Sequence, residues 1–224
     1  MTKAAVGLIV LMMAAPSAAS AADLARYREF QLGTDLATVA RQAGTDPSLA
    51  KAIHRRPALI QELDWHPRLA GGSSKSEAVE NVVLTFYAGR LFRITVQYDR
   101  YETEGLTAED LVETISATYG SATTPTVKVA TDQNSYSEPE ELIARWEDPQ
   151  YSFDLIRKSY GPTFKLVGVL KSMDAEAKTA NLEARRLDDQ EAPQRDAARV
   201  ATEEEAARAK LAKARLVNKP NFRP

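Results

Sequence analysis

The first pattern along the chain is a run of apolar residues at helical spacing between Thr34 and Gly44. Thr34 is a favourable N-cap, Gly44 is a favourable C-terminal stop, and the apolar residues between them share one helical face. These residues are Leu36, Val39, Ala40 and Ala43. A short second helix is predicted over 47–54. A strand over 58–65 and a hairpin over 82–98 follow, because apolar and polar residues alternate in the second half of that hairpin.

The same order of patterns returns in the second half of the chain. Thr107 and Asp110 resemble a capping box, and an apolar stripe leads from Leu111 to Tyr119 before Gly120 ends the predicted helix. Three strands are predicted after this helix, over 141–146, 151–157 and 164–170, the last two joined by a turn at 160–162. The intervening segment 121–138 lacks these patterns and is predicted as a strand or a loop.

The repeated order predicts an internal duplication. Trp65 and Trp146 each end a short apolar strand, so duplicated units would bury both rings between a sheet and a helix. Phe92 and Phe164 each follow a turn glycine by three residues and would then be equivalent neighbours in the core. Chance similarity between two ordinary helix-plus-hairpin units is the alternative.

Strands grouped with helices in this way predict the α+β fold class. The globular domain is expected over 23–172, with possible duplicated units at 30–101 and 102–172. Each unit would contribute a helix and an antiparallel hairpin to a sheet covered by helices on one face.

Beyond position 172 the composition changes to Ala, Glu, Arg, Lys and Asp, which predicts a charged helical tail over 173–224. A mostly alanine heptad seam runs along its first half, and Pro193 is expected to interrupt it. The seam consists of Met173, Ala177, Ala180, Ala184 and Leu187. Two interpretations stay open: a solvated, partly disordered helix, or a helix that docks a partner or mediates self-association through 173–217.

The first 22 residues are typical of a secretory signal peptide. A short positive start precedes an apolar run over 4–15, and an A-x-A cleavage signal ends at Ala21. The apolar run is about a dozen residues, whereas a membrane-spanning helix needs about 20. We therefore expect no membrane span, cleavage near Ala21 or Ala22, and a bacterial periplasmic or secreted protein. A buried or membrane-anchoring N-terminal helix is the alternative.

Composition narrows the classes of function. The chain contains no cysteine, which excludes thiol catalysis, cysteine zinc sites and iron–sulfur clusters. The net charge of -2 gives no indication of nucleic-acid binding or of attraction to an anionic membrane. The sequence also lacks H-E-x-x-H, G-x-S-x-G and glycine-rich phosphate-binding motifs. We therefore expect no enzyme activity, no metal site and no cofactor.

Two polar residues are a weak exception to this expectation. Asp64 and His66 lie on the same face of an extended segment, where a proton relay is geometrically conceivable. A hydrolase or lyase that uses Asp64 and His66 is therefore kept as an alternative. A structural His beside Trp65 is the simpler interpretation.

Aromatic and arginine side chains near the turns are the stronger candidates for a binding surface. Tyr and Arg combine a large contact area with a polar group, so they favour protein interfaces. Tyr87 is predicted to point away from Phe86, onto the sheet face that carries Arg93. The candidate interface residues are Tyr87, Arg93, Tyr98, Tyr101 and Tyr151.

The openings of the two units carry a resemblance to a known family. Residues 32–34 (Leu-Gly-Thr) and 105–107 (Gly-Leu-Thr), each followed by a helix that ends in glycine, resemble β-lactamase-inhibitor-protein-like units. Single units of this fold occur in outer-membrane-assembly lipoproteins of the SmpA/BamE kind. The resemblance implies an exported protein-binding module of unknown partner rather than an enzyme. An envelope structural protein that acts through its helical tail is a further alternative.

Overall fold

The computed structural model describes residues 23–67, 78–124, 140–158, 163–221 and 223. In these residues the chain adopts a mixed α+β fold, with a two-stranded hairpin, a seven-stranded antiparallel sheet and three α-helices. Three of the predicted segments lie outside the described residues: the signal peptide, the turn at 160–162 and most of 121–138.

The large sheet is built from seven strands in antiparallel order. The hairpin that precedes it pairs β1 (Arg26–Tyr27) with β2 (Phe30–Gln31). The strands of the sheet are β3 (Lys51–His54), β4 (Ile60–Trp65), β5 (Val79–Tyr87), β6 (Arg90–Tyr98), β7 (Glu140–Glu147), β8 (Tyr151–Lys158) and β9 (Phe164–Leu170). Their order across the sheet is β3-β4-β5-β6-β9-β8-β7, so β6 and β9 meet at the centre.

Two neighbouring rows of residues cross the sheet on the face of the main core. The first row, in order of strand pairing, is Trp65, Val82, Val96, Leu166, Leu155 and Ala144. The second row is Leu63, Leu84, Ile94, Gly168, Phe153 and Trp146. Both tryptophans are buried in the same hydrophobic cluster, which confirms the burial of the two rings. A Cβ on Gly168 would lie 2.3 Å from the Phe153 ring, so the glycine makes room for that ring.

Two amphipathic helices cover this face. Helix α1 (Leu36–Gln42) is capped by Asp35 rather than by the predicted Thr34, since Asp35 accepts a hydrogen bond from the Thr38 amide at 3.0 Å. Helix α2 (Ala108–Tyr119) begins with the predicted capping box of Thr107 and Asp110. The buried residues of both helices belong to the main core.

The second helix predicted over 47–54 is wrong. Asp46 accepts a hydrogen bond from the Ser48 amide and caps a single 3₁₀ turn, Pro47–Leu49, after which the chain forms β3. The β3 backbone pairs with β4, with Lys51 opposite Glu62. Pairing with the next strand thus prevails over a short local pattern that also fits a helix.

Helix α3 (Lys171–Asn218) corrects two further expectations. It follows β9 directly and crosses the opposite face of the sheet, so helices cover both faces rather than one. Ala177 packs there against Ile60 and Phe92. The alanine seam predicted for the tail therefore packs within the chain, and its small side chains allow a close approach of helix and sheet. Pro193 lies inside the helix and does not interrupt it.

Phe92 and Phe164 are not equivalent core neighbours, contrary to prediction. Phe164 belongs to the main core, whereas Phe92 packs with Ala177 on the opposite face. The pairing of β5 with β6 shifts here, because Thr85 pairs with Arg93 but Phe86 pairs with Leu91. This β-bulge adds one residue to β6 and turns Phe92 towards α3.

Candidate binding groove

An ion pair at the base of α3 fixes the helix to the sheet. Arg93 on β6 donates a hydrogen bond to the Asp174 carboxylate, and the Lys178 ammonium lies 2.7 Å from the same carboxylate. Asp174 is buried, and burial raises the pKa of its carboxyl group. The hydrogen bonds and positive charges of Lys178 and Arg93 outweigh burial and hold that pKa below its ordinary value.

A second ion pair holds the helix farther along. Arg56, in the loop between β3 and β4, donates two hydrogen bonds to the Glu191 carboxylate, one of them 2.7 Å long. The hydrogen bond from Arg56 lowers the pKa of Glu191. The two ion pairs bracket the part of α3 whose alanines are buried, so this part of the helix has a defined position over the sheet.

Next to the Arg93–Asp174 ion pair, α3 and the sheet border an open cavity of about 400 Å³, here called the α3 groove. The strands contribute Ile53, His54, Ile60, Glu62, Val83, Thr85, Phe92, Arg93 and Thr95. The helix contributes Asp174, Ala177, Lys178, Asn181 and Arg185. The groove thus combines apolar side chains with charged and amide groups, a mixture typical of ligand and peptide sites.

Two lining residues of the α3 groove have a buried polar atom that finds no hydrogen-bond partner among the described residues. These atoms are Arg93 Nε, a donor, and Asn181 Oδ1, an acceptor. Most buried polar atoms in proteins find a partner in the protein or in ordered water. Both atoms are covered by the chain itself, so they mark incompletely satisfied packing where α3 meets the sheet.

A second cavity, of about 460 Å³, lies between α3 and strands β7 to β9. Its charges are matched in pairs within the chain. The pairs are Lys165–Glu140 at 2.6 Å, Arg145–Asp154 at 2.7 Å and Lys171–Glu147 at 2.6 Å. Arg93, Asp174 and Lys178 line both cavities, and the α3 groove differs from the second cavity in also containing the partly exposed apolar side chain of Ile53.

The structure separates the five predicted interface residues. Tyr87 and Arg93 lie together on the α3 face, where the Tyr87 ring packs edge-on against Phe92 with the ring centroids 6.4 Å apart. Tyr98 and Tyr151 pack against the main core instead, and burial raises the pKa of the Tyr98 hydroxyl. Tyr101 is exposed in the turn after β6.

Asp64 and His66 do not line the α3 groove. The Asp64 carboxylate lies 3.3 Å from the Lys51 ammonium on the neighbouring strand, and His66 is exposed. Within the described residues, no group of His, Cys, Asp and Glu side chains could hold a metal ion. None of the described helices combines the length and the apolar character that crossing a membrane requires.

Sequence reasoning missed most of the lining residues of the α3 groove. His54, Glu62, Asp174, Lys178 and Asn181 were not selected as candidates, although Arg93 was. The only signal was the alanine seam, which indicates a close helix contact but not which surface the helix meets.

No family model, curated protein or solved structure matches this chain.

Proposed function

We propose that this chain is an exported, non-enzymatic binding module and that the α3 groove holds a segment of its protein partner. The observation that carries the proposal is the groove itself. It lies beside the Arg93–Asp174 ion pair, and its lining combines apolar side chains with charged and amide groups. A polypeptide segment supplies what such a site accepts, since its amides donate and accept hydrogen bonds beside an apolar side chain.

The neighbouring sheet edge adds to the same surface. Strand β3 is an edge strand, and within the described residues no strand pairs with its outer side. Ile53 on β3 lines the groove and is 47% exposed, and Leu49 and Leu59 are exposed close to it in sequence. An extended partner segment along β3 would cover these apolar side chains and gain backbone hydrogen bonds.

We also propose that the two helix-plus-strand stretches are duplicated units of the β-lactamase-inhibitor-protein-like kind. Apart from the edge strand β3, which has no counterpart among the described strands, the sheet order is symmetrical about the contact of β6 with β9, where Thr95 pairs with Val167. A two-fold axis that exchanges these two residues superimposes the first row across the sheet, which contains Trp65, on the second row, which contains Trp146. It relates Val96 to Gly168, Val82 to Phe153 and Trp65 to Trp146. The resemblance to that family implies binding rather than catalysis.

The experiment is affinity capture from a periplasmic extract of the source bacterium with the full-length protein as bait. Ile53→Asp places a charge at the mouth of the α3 groove, on a side chain that is already partly exposed. Leu182→Asp is the matched control, since Leu182 is 68% exposed on α3 and does not line the groove. We expect the unchanged protein and the control to capture the same partner, and Ile53→Asp to lose most of it.

Capture of no partner at full bait recovery would contradict the proposal. Equal loss of the partner from both variants, or from neither, would place the binding surface elsewhere on the molecule.

A further inference from the structure

Helix α3 segregates its charges along its length. Residues 188–205 contain seven carboxylates and two arginines, whereas residues 206–224 contain six Lys and Arg and no carboxylate side chain. The six are Arg208, Lys210, Lys213, Arg215, Lys219 and Arg223. The overall charge of -2 conceals this separation, because the acidic and basic segments cancel in the sum.

The cations on the two sides of this boundary differ in their partners. Arg199 lies 3.0 Å from Glu203, and Arg208, at the boundary, lies 3.2 Å from Glu204. By contrast, Lys210, Lys213, Arg215 and Lys219 form no ion pair with any described residue. These four cations are therefore available to negative charge from outside the chain.

The helix dipole accounts for only part of this cluster. Cations near a helix C-terminus are favourable, but the effect falls off within the last turn. Arg215 and Lys219 lie at the end of α3, where the dipole stabilises them. Lys210 and Lys213 lie one to two turns earlier, so their placement calls for a different reason.

Apolar side chains stand among these cations and are exposed. Leu211, Leu216 and Val217 are 70%, 78% and 58% exposed. Every described residue of α3 from Pro193 onward is exposed, so the globular domain does not cover this segment. Clustered lysines and arginines attract the negative surface of an anionic membrane, and exposed apolar side chains next to them gain by leaving water there.

We propose that residues 206–221 of α3, here called the basic segment, bind the surface of an anionic phospholipid bilayer. The cations would contact lipid phosphates while Leu211 and Leu216 enter the boundary of the acyl chains. The basic segment begins 22 residues after Ala184, the last buried residue of the helix, or about 30 Å at 1.5 Å per residue. The α3 groove would stay accessible on a domain held away from the membrane.

A lipid surface fits the basic segment better than a nucleic acid does. Both ligands would use the cations, and both would release the protein at high salt. Only the membrane also removes the exposed leucine and valine side chains from water. This segment carries no described aromatic side chain on which bases could stack.

The test is co-sedimentation of the full-length protein with two kinds of vesicle. One is pure phosphatidylcholine, and the other also contains roughly 30% of the anionic lipid phosphatidylglycerol. We expect binding only to the anionic vesicles, and release when the salt concentration is raised. Each cation near such a surface contributes roughly a factor of five. Lys213→Gln with Arg215→Gln should therefore weaken the partition coefficient by roughly twentyfold or more.

The matched control replaces two cations farther up the same exposed helix, Arg195→Gln with Arg199→Gln, and should bind vesicles as the unchanged protein does. A second variant, Leu211→Ala with Leu216→Ala, should weaken binding without changing the charge. Three results would overturn the proposal: equal binding to uncharged vesicles, equal loss in the control, or displacement of the protein from vesicles by duplex DNA at equal phosphate concentration. Protein capture by the α3 groove does not enter this assay, so the two proposals fail independently.

Discussion

At the scale of single residues, Asp174 is the most consequential polar group of the described fold. It is buried between α3 and the sheet and faces two cations, Arg93 and Lys178. A buried carboxylate is stable only when it is paired and hydrogen-bonded, and here both conditions are met. The contact therefore stabilises the docked position of α3 only while Asp174 is ionised.

The pKa of Asp174 makes this contribution dependent on pH. Because the folded-state pKa lies below the value in the unfolded chain, about 3.9, the contribution is present above that pH and is lost as the pH falls towards the folded value. We expect Asp174→Asn to cost about 2 kcal/mol of unfolding free energy at pH 7. The difference from the unchanged protein should shrink below about pH 4.

Urea denaturation at several pH values measures this difference. Glu191→Gln is the control, because the Arg56–Glu191 pair is more exposed and should contribute less at every pH. A difference between the unchanged protein and Asp174→Asn that stays constant down to pH 2 would show that the charge of Asp174 does not hold the helix.

At the scale of elements, Trp146 connects helix α2 to strand β7. Its indole N–H donates to Ser116 Oγ at 3.1 Å and to the Gly120 carbonyl at 3.0 Å, at the C-terminus of α2. Trp65 is also buried, and its ring packs edge-on against Phe30 at 4.9 Å between centroids. The Trp65 indole nitrogen has no partner among the described residues.

This difference predicts unequal effects of the same substitution. Trp146→Phe should lower the free energy of unfolding by about 2–3 kcal/mol. The substitution removes buried volume, and the Gly120 carbonyl at the end of α2 loses the hydrogen bond from the indole N–H. Trp65→Phe should cost about 1 kcal/mol less than that, because no hydrogen bond is lost. Urea denaturation of the two variants measures both costs. An equal or larger cost for Trp65→Phe would mean that the hydrogen bonds of Trp146 add nothing to the position of α2.

At the scale of the whole molecule, the two halves share one core. The row of residues through Val96 and Leu166 crosses from one half to the other, and the main cluster contains side chains from α1, α2 and all the central strands. A core that is continuous across both halves gives neither half a separate set of buried contacts. Unfolding of the sheet is therefore expected to be one cooperative transition.

The two tryptophans allow a direct test of this cooperativity. In a Trp146→Phe protein, the fluorescence of Trp65 reports on the first half, and hydrogen exchange of peptides from β8 reports on the second half. We expect both signals to change at the same denaturant concentration. Two separated transitions would show that the halves are independent folding units.

The sequence alone determined the elements whose pattern is local. The capping box at Thr107, the hairpin of β5 and β6 and the burial of both tryptophans follow from spacing, alternation and residue type, and the structure confirms them. The signal peptide and the binding function stay predictions. Hydrophobic periodicity reports which residues share a face, and this information is contained in neighbouring positions.

Only the tertiary structure decided which surfaces meet. The bulge that turns Phe92 towards α3 arises from the pairing of two strands, and alternation along β6 alone predicts the opposite face. The path of α3 across the second face depends on Arg93 and Arg56, which lie 81 and 135 positions from Asp174 and Glu191. The α3 groove exists only because these distant contacts form, since long-range pairing and not local pattern places a helix on one sheet face or the other.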